Sequence, residues 1–256
     1  MYRVRQLTDK KEILTFLERD AGYAAYAIGD LEPALFAQSE WTGAQAEGQI
    51  QALTLHFKGL DPPALFVMGE PAALVGILER DAAPNQVYLT CREQHLATVQ
   101  AYYRTTPPTP MWRMSLNPKD FRYRPVPDVA VQSLQHPDAL QGLYLQGGGE
   151  TFNATQLETG VFYGVYERER LVAAAGTHLL SPSYSRAAVG NIYTAPDYRG
   201  RGYGTAVTGA VVSTLLRRGI RHIFLNVAQA NRNAIHIYEK LGFTRHCPFL
   251  EMSAVR

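Results

Sequence analysis

Residues 199–204, with the sequence RGRGYG, combine the residue types that bind phosphate groups. Glycines let a main chain come close to a ligand, and arginine side chains carry charge in a geometry that matches phosphate oxygens. Apolar side chains recur at helical spacing over residues 205–218, so the segment is predicted to open a helix. Unpaired N–H groups and the positive end of the helix dipole would then point at one place. These residues therefore predict an anion-binding loop.

The elements around this loop are also predicted by the sequence. A β-rich run precedes it at residues 187–194, and a strand and a final helix are predicted after it at 223–227 and 232–241. Two strands joined by a charged turn, at 161–166 and 171–178, come before these elements. Such an alternation of strands and helices is typical of α/β folds.

The first half of the chain is predicted to contain similar elements. Its opening, YRVR at residues 2–5, resembles FRYR at 121–124, and the same offset of 119 residues brings Asp9 onto Asp128. Each opening is predicted to be a short strand followed by a helix. This weak internal repeat predicts two similar α/β halves, separated by a proline-rich connection at residues 105–128. The other predicted elements of this region are strands at 50–58, 63–68, 87–90 and 111–116 and helices at 9–19, 71–80 and 93–103.

Composition describes an ordinary globular protein, because 46% of the residues are hydrophobic and 19% are charged. No apolar run is long enough to cross a bilayer, and the first residues lack the apolar stretch of a signal peptide, so we expect a cytoplasmic protein without a membrane partner. Residues 1–120 have a net charge of −3 and residues 121–256 one of +5. The half with the loop would therefore attract an anion, but this balance is too mild to predict nucleic-acid binding.

Metal chemistry is not predicted. Cys91 and Cys247 fit no zinc spacing, and His236, His246 and Cys247 offer no tight ligand pair for four-coordinate geometry. The two cysteines are expected to be small buried residues in a reducing compartment.

Two motifs resemble those of the GNAT superfamily of N-acetyltransferases. Residues 199–204 fit its Arg/Gln-x-x-Gly-x-Gly/Ala signature, and residues 231–243 (NRNAIHIYEKLGF) resemble its second motif, Asn-x-x-Ala-x-x-x-Tyr-Glu-x-x-Gly-Phe. They occur in the family's order and spacing, and the resemblance covers residues 122–250. It implies an α/β (mixed α+β) fold with mostly antiparallel sheets flanked by helices. With the internal repeat, it predicts a degenerate GNAT-like domain at residues 1–118 and a catalytic GNAT domain at 119–256.

The resemblance implies a binding site for acetyl-CoA as co-substrate, without a metal. The main-chain amides of the loop would surround the pyrophosphate, and the strand before it would offer its main chain to the pantetheine arm and the thioester carbonyl. Asn231 matches the motif asparagine that contacts the cofactor arm, and Tyr238 matches the tyrosine near the CoA sulfur. The cofactor-binding residues implied in this way are Ile192, Tyr193, Thr194, Arg199, Gly200, Arg201, Gly202, Tyr203, Gly204, Thr205, Asn231 and Tyr238.

Tyr238 is the candidate catalytic acid. An unperturbed phenol has a pKa of about 10 and an alkyl thiol one of about 8.5, so full proton transfer to the thiolate is uphill by roughly 2 kcal/mol. Tyr238 is therefore expected to donate a hydrogen bond that stabilises the leaving sulfur. The alternative is a core position, since Ala234, Tyr238 and Leu241 also form an apolar helical stripe.

The group that deprotonates an amine acceptor is harder to assign. The family base is often a glutamate on the strand before the loop, but residues 188–192 (AVGNI) hold no carboxylate. Glu158 and His178 are the candidate catalytic bases: Glu158 lies just before a predicted strand, and His178 lies near the end of the adjacent one. A histidine titrates at about pH 6.5 and can act as a neutral base. Water alone is the third alternative.

The first half lacks a second loop of this kind. After the strand predicted at residues 63–68 the sequence reads GEP at 69–71, which places a carboxylate where a phosphate would lie. One acetyl-CoA site is therefore expected, and the first half would shape the substrate pocket or support the fold. Tyr23, Tyr26 and Trp41 are its candidate pocket walls, with a core position as the alternative.

The sequence thus predicts an enzyme that moves an acetyl group directly from acetyl-CoA to a small-molecule or amino-acid-like amine, as a monomer or homodimer. A dinucleotide site is excluded because the Gly-x-Gly-x-x-Gly/Ala spacing fails, and no Gly-Lys-Ser/Thr of a P-loop occurs. The alternative is a GNAT-like domain that binds acyl-CoA as a sensor or scaffold without catalysis. The missing glutamate favours that alternative, and the intact Tyr238 opposes it.

Overall fold

The chain forms two compact units. A computed structural model describes residues 2–80, 85–146 and 154–256. The first unit comprises Met1–Arg113, Ala228–Ala230 and Cys247–Arg256, and the second comprises Met114–Val227 and Asn231–His246. Among the helices in these described ranges, none is long and apolar enough to cross a membrane. The domains at 1–118 and 119–256 remain predictions.

Strands and helices alternate along both units. The strands are β1 (Arg3–Gln6), β2 (Ser39–Ala46), β3 (Gln49–Phe57), β4 (Ala64–Gly69), β5 (Gln86–Cys91), β6 (Arg104–Thr105), β7 (Thr109–Leu116), β8 (Val131–Ser133), β9 (Tyr163–Glu167), β10 (Arg170–Ser181), β11 (Arg186–Thr194), β12 (His222–Ala228) and β13 (Phe243–Val255). The helices are α1 (Lys10–Leu17), α2 (Ala25–Gly29), α3 (Pro33–Phe36), α4 (Pro71–Arg80), α5 (Glu93–Gln100), α6 (Pro137–Leu145), α7 (Ala154–Thr159), α8 (Tyr203–Arg217) and α9 (Arg232–Lys240).

Each unit contains a mixed, mostly antiparallel sheet flanked by helices, which confirms the predicted fold class. In the first unit the strands follow the order β1-β2-β3-β4-β5-β13, with β4 and β5 parallel and the other pairs antiparallel. In the second unit the order is β12-β11-β10-β9-β8, with β11 and β12 parallel and the other pairs antiparallel. A parallel pair needs a crossover connection. This connection contains α4 in the first unit and α8 in the second.

Apolar helix faces cover both sheets. In α8 the buried Ala206, Val207, Val211 and Leu215 recur at helical spacing, and the helix packs on β9, β10 and β11. In the first unit α4 packs on β2 and β3. The predicted helices near residues 71–80, 93–103, 205–218 and 232–241 are present.

The strand predicted at residues 121–124 is wrong. This segment has no regular structure, because Pro125 and Pro127 after it have no N–H to pair with a neighbouring strand. Tyr123 instead packs against α8, where its hydroxyl donates a hydrogen bond to the carbonyl of Ala206 at 3.3 Å.

The proposed correspondence between Asp9 and Asp128 is also wrong. The Asp9 carboxylate accepts a hydrogen bond from Lys11 N at 2.8 Å and caps α1. Asp128 lies in a turn with a φ of 60°, and no helix starts there. The first strand and helix after Asp128 are β8 and α6.

Substitution by alanine should change the free energy of unfolding in opposite directions at two helical glycines. A Cβ at Gly142 on α6 would meet no atom within 4 Å, whereas one at Gly209 on α8 would lie 2.1 Å from the Tyr123 ring. Gly142→Ala should therefore raise the free energy of unfolding by about 0.5–1 kcal/mol through helix propensity. Gly209→Ala should lower it by about 1–3 kcal/mol through overpacking. Urea unfolding measures both, and equal effects would contradict the packing of residues 121–124 on α8.

Candidate functional site

The parallel pair β11–β12 opens partway along β11. The register pairs residues 186–189 with 222–225. Within the described ranges no residue of β11 after Val189 pairs with β12, although β11 stays paired with β10 as far as Thr194. Residues 190–194 therefore present a main-chain edge that β12 does not use.

A β-bulge lies at the point of divergence. The register with β10 leaves Asn191 and Ile192 opposite the single residue Ala175. Asn191 has a φ of 52°, in the left-handed region that asparagine adopts more readily than most residues. A bulge bends its strand and increases its twist, which accounts for the turn of β11 away from β12.

The N-terminus of α8 presents main-chain donors next to this edge. Gly202 precedes the helix with a φ of 80°, and the first helical bond runs from Ala206 N to Gly202 O at 3.0 Å. The N–H groups of residues 203–205 have no acceptor among the described residues, and no side chain caps the helix. By contrast, Asp9 caps α1 and Asn231 caps α9. An uncapped helix start with aligned donors is a site for an anion.

Both predicted arginines lie on this loop with exposed side chains. Arg199 donates a hydrogen bond from Nε to the carbonyl of Thr194 at 3.1 Å, and its guanidinium lies 6.0 Å from the centre of the Tyr193 ring. The guanidinium of Arg201 lies 5.1 Å from the centre of the Tyr198 ring. These contacts hold two positive charges beside the helix start.

Gly200 and Tyr203 contribute to the loop in different ways. Gly200 has a φ of 79°, and a Cβ there would meet no atom within 4 Å, so open space surrounds its main chain. The Tyr203 side chain is buried and donates its hydroxyl to Glu167, and this hydrogen bond to a carboxylate raises the pKa of Tyr203. Tyr203 therefore anchors the helix start to β9 and can reach a ligand only through its main chain.

The second motif lies against the first. A Cβ at Gly204 would be 3.5 Å from Ile237 Cδ1 and 3.7 Å from Thr194 Oγ1. The end of β11, the start of α8 and the middle of α9 therefore meet at one place. The structure brings together the strand, the loop and the helix that the sequence assigned to one site.

The two motif residues on α9 have clear structural roles. Asn231 Oδ1 accepts a hydrogen bond from Ala234 N at 3.1 Å and caps the helix, and this bond does not use its amide nitrogen. Tyr238 is 6% exposed, and its ring meets that of Phe243 edge-on, with centres 6.3 Å apart. The core position and the catalytic position considered for Tyr238 are therefore compatible.

The candidate bases Glu158 and His178 have very different surroundings. Glu158 is exposed on α7. The half-buried His178 lies on β10, and its Nε2 accepts a hydrogen bond from Asn191 N at 3.1 Å. A neutral imidazole has one accepting nitrogen. This bond therefore uses the lone pair that a general base needs, and it ties His178 to the bulge.

Three residues near the bulge were missed by sequence reasoning. The Tyr144 hydroxyl donates to the Asn191 carbonyl at 2.6 Å, and Asn191 Nδ2 donates to Gln156 Oε1 at 2.9 Å. An asparagine inside a strand pattern was a signal for a left-handed residue. Tyr144 and Gln156 gave no signal, because 47 and 35 residues separate them from Asn191.

The corresponding place in the first unit is filled by side chains. The Tyr23 hydroxyl donates to the Val67 carbonyl at 2.9 Å, and His95 Nε2 bonds to the Gly69 carbonyl at 2.8 Å. Burial lowers the pKa of His95, so the neutral ring donates through Nε2. Pro71, the first residue of α4, has no N–H to offer. The candidate pocket walls of this unit are buried or half-buried: Tyr23, Trp41 and Tyr26.

The cysteines and histidines form no metal centre in the described part of the chain, where no group of three or more His, Cys, Asp or Glu residues could hold an ion. Cys91 and Cys247 are both free and buried.

Comparison with known proteins identifies the class to which this fold and site belong. Residues 130–243 match the family model described as Acetyltransferase (GNAT) family. The match covers most of the second unit and includes the loop and α9. Residues 130–243 are thus similar to the GNAT family of acetyltransferases.

Curated relatives align with only part of the chain. The mycothiol acetyltransferase of Geodermatophilus obscurus is 35% identical over 89 residues, which are 33% of this chain and 29% of that protein. The ribosomal protein bS18-alanine N-acetyltransferase of Escherichia coli is 31% identical over 94 residues, which are 37% of this chain and 62% of that protein. The chain thus spans less than two thirds of the length of either relative.

A solved structure resembles the whole chain. A tandem GNAT protein from the clavulanic acid biosynthesis pathway has a TM-score of 0.58 and 14% sequence identity, with coverage of 100% of this chain and 98% of that one. At this identity the likeness concerns the fold alone. It agrees with two GNAT-like units in one chain.

Substitution of Gly200 by alanine tests whether the loop binds a ligand, and Gly219, at the other end of α8, provides the control. Gly200 and Gly219, which lie before and after α8, have φ values of 79° and 82°, and a Cβ at either position meets no atom within 4 Å. Both substitutions should therefore lower the free energy of unfolding by about 1–2 kcal/mol through left-handed strain. Only Gly200→Ala should also weaken acetyl-CoA binding, measured by calorimetry. Equal affinities of the two variants would contradict a ligand position at Gly200.

Proposed function

We propose that the second unit is an N-acetyltransferase that moves the acetyl group of acetyl-CoA directly to the amine of a small-molecule or amino-acid-like acceptor. The observation that carries this proposal is the uncapped start of α8 beside the opened edge of β11. An anion at the helix start and an extended arm along the strand edge match the two ends of an acyl-CoA.

The residues of the loop would bind the pyrophosphate. The N–H groups of residues 203–205 would satisfy phosphate oxygens, and the close approach would be possible because Gly200 leaves its surroundings open. Arg199 and Arg201 would add two positive charges at the same end.

The strand and α9 would bind the rest of the cofactor. The main chain of residues 192–194 would pair with the amide groups of the pantetheine arm, as a further strand would, and donate to the thioester carbonyl. The amide nitrogen of Asn231, which its helix cap does not use, would donate to the same arm.

The transfer itself needs few protein groups. The amine nitrogen attacks the acetyl carbonyl carbon, a C–N bond forms, the C–S bond breaks, and the amine loses a proton while the sulfur gains one. Tyr238 would donate a hydrogen bond to the leaving sulfur. The proton of the amine would pass to water, since the Nε2 lone pair of His178 is bonded to Asn191 and Glu158 is an exposed carboxylate on α7.

The relatives support acetyl transfer and differ in their acceptors. One is named a mycothiol acetyltransferase and the other a ribosomal protein bS18-alanine N-acetyltransferase. A panel of α-amino acids, peptide N-termini, alkylamines and polyamines, with release of free thiol from acetyl-CoA as the readout, tests the proposal. Acetylated product with one class of amine is expected. Tight acetyl-CoA binding without turnover on any amine would instead support an acyl-CoA sensor or scaffold.

The two loop arginines should matter for binding because they neutralise phosphate charge. Arg199→Ala/Arg201→Ala protein should bind acetyl-CoA about 10- to 100-fold more weakly, with a smaller difference at high salt, because both side chains are exposed and screened. The control is Arg218→Ala, which removes an exposed arginine at the other end of α8 and should change the affinity by less than about twofold. Unchanged affinity in the double variant would remove the phosphate assignment.

Loss of the Tyr238 hydroxyl should slow chemistry and leave binding intact. Tyr238→Phe keeps the ring contact with Phe243, so we expect the wild-type fold and an unchanged Kd for CoA. The value of kcat should fall about 100-fold, the lower range for a positioned proton donor. A turnover rate equal to that of the wild type would show that Tyr238 is a core residue only.

A further inference from the structure

Asn191 is held by side chains from three separate elements. His178 on β10 accepts from its main-chain N–H at 3.1 Å, and Tyr144 on α6 donates to its carbonyl at 2.6 Å. Gln156 on α7 accepts from its side-chain amide at 2.9 Å. Asn191 itself is 1% exposed. Its backbone polar groups are thus satisfied by side chains, where a regular strand residue would use a neighbouring strand.

This arrangement fixes a backbone conformation that the chain would not adopt by default. A non-glycine residue at positive φ is strained, and such strain persists only where the surroundings over-determine it. Three hydrogen bonds to buried or half-buried partners provide that constraint at Asn191. The bulge is therefore held by side chains of α6, α7 and β10.

The bulge determines the direction of the side chains and main-chain groups of the β11 residues that follow it. A shift of one residue in a strand moves every following side chain to the other face and changes which main-chain groups point along the sheet. The extra residue at Asn191 shifts the register of β11 against β10, directly after the parallel pairing with β12 ends at Val189. It therefore sets which main-chain groups of Ile192 lie on the edge that β12 leaves free.

We infer that Tyr144, Gln156 and His178 are positioning residues, which clamp Asn191 so that the main chain of Ile192 is aimed at the acetyl group. This inference rests on the proposed function. His178 acts in the clamp as a hydrogen-bond acceptor, and the space for its ring comes from Gly190, where a Cβ would lie 2.3 Å from the imidazole. None of the three clamp residues needs to touch the substrate.

Two substitutions at His178 test whether this residue acts as a hydrogen-bond acceptor or as a general base. Glutamine places an amide oxygen near the position of Nε2 and can accept from Asn191, but it cannot take up a proton at neutral pH. Leucine can do neither. We expect His178→Leu to lower kcat about 10- to 100-fold, as misplacement of a reacting group does, and His178→Gln to recover most of that loss. Equal losses of kcat in both variants would overturn the clamp in favour of a base.

A matched pair of tyrosines provides the second test. Tyr144→Phe removes the hydroxyl that holds the Asn191 carbonyl. Tyr163→Phe removes a hydroxyl of the same unit that bonds Thr214 Oγ1 on α8 at 3.0 Å. We expect kcat to fall about tenfold in the first variant and to stay near the wild-type value in the second. A kcat for Tyr144→Phe equal to that for Tyr163→Phe would overturn the inference.

The affinity for CoA, which lacks the acetyl group, shows whether a clamp variant is misfolded or only has its β11 main chain misplaced. Because CoA depends on the phosphate loop, its Kd should stay within about twofold of the wild type in every variant, while kcat with acetyl-CoA and the fastest amine of the panel falls. If His178→Leu does not fold, Tyr144→Phe carries the test alone. A wild-type protein without turnover overturns the proposed function and this inference together, whereas active wild type with unaffected clamp variants overturns the inference only.

Discussion

The site depends on one local event, the departure of β11 from β12 at Asn191. A parallel pair that continued to Thr194 would use its main-chain groups within the sheet, and nothing extended could bind along it. Because the strand bends there, its last residues reach the start of α8, where Thr194 lies close to Gly204. The open strand edge and the uncapped helix start thus lie next to each other.

The first unit gives an internal comparison, since it has the same parallel pair and crossover helix. Its strand β4 has also left β5 by Gly69, but the carbonyls of Val67 and Gly69 already bond to Tyr23 and His95. Its helix starts with a proline. The two units therefore share a fold and differ at the helix start: α8 has free N–H groups at residues 203–205, whereas α4 begins with a proline.

The sequence predicted features that are encoded in consecutive residues and missed contacts between residues that lie far apart in the chain. The loop at 199–204 and the helix at 231–243 were found because each carries its signature in consecutive residues. The repeat at 121–124 failed because a four-residue likeness ignored the prolines that follow it, which deny the segment a strand ladder. The clamp on Asn191 could not be predicted, because it joins residues from three elements and no spacing connects them. Strand β2 was missed as well, since its SEWTGAQA sequence has no clear alternation.

The strand that feeds the loop carries no carboxylate, and the His178 lone pair is bonded to the main chain. If the proposed reaction uses no protein base, the acceptor would reach the site already neutral or lose its proton to water. An α-amino group, with a pKa of about 8, is neutral in about a tenth of molecules at pH 7, whereas a lysine-like amine with a pKa of about 10.4 is neutral in fewer than about one in a thousand. A site that contributes binding and orientation but no strong base therefore discriminates between amines by their own basicity. The hydrogen bond that builds the bulge thus bears on which acceptors the proposed reaction can use.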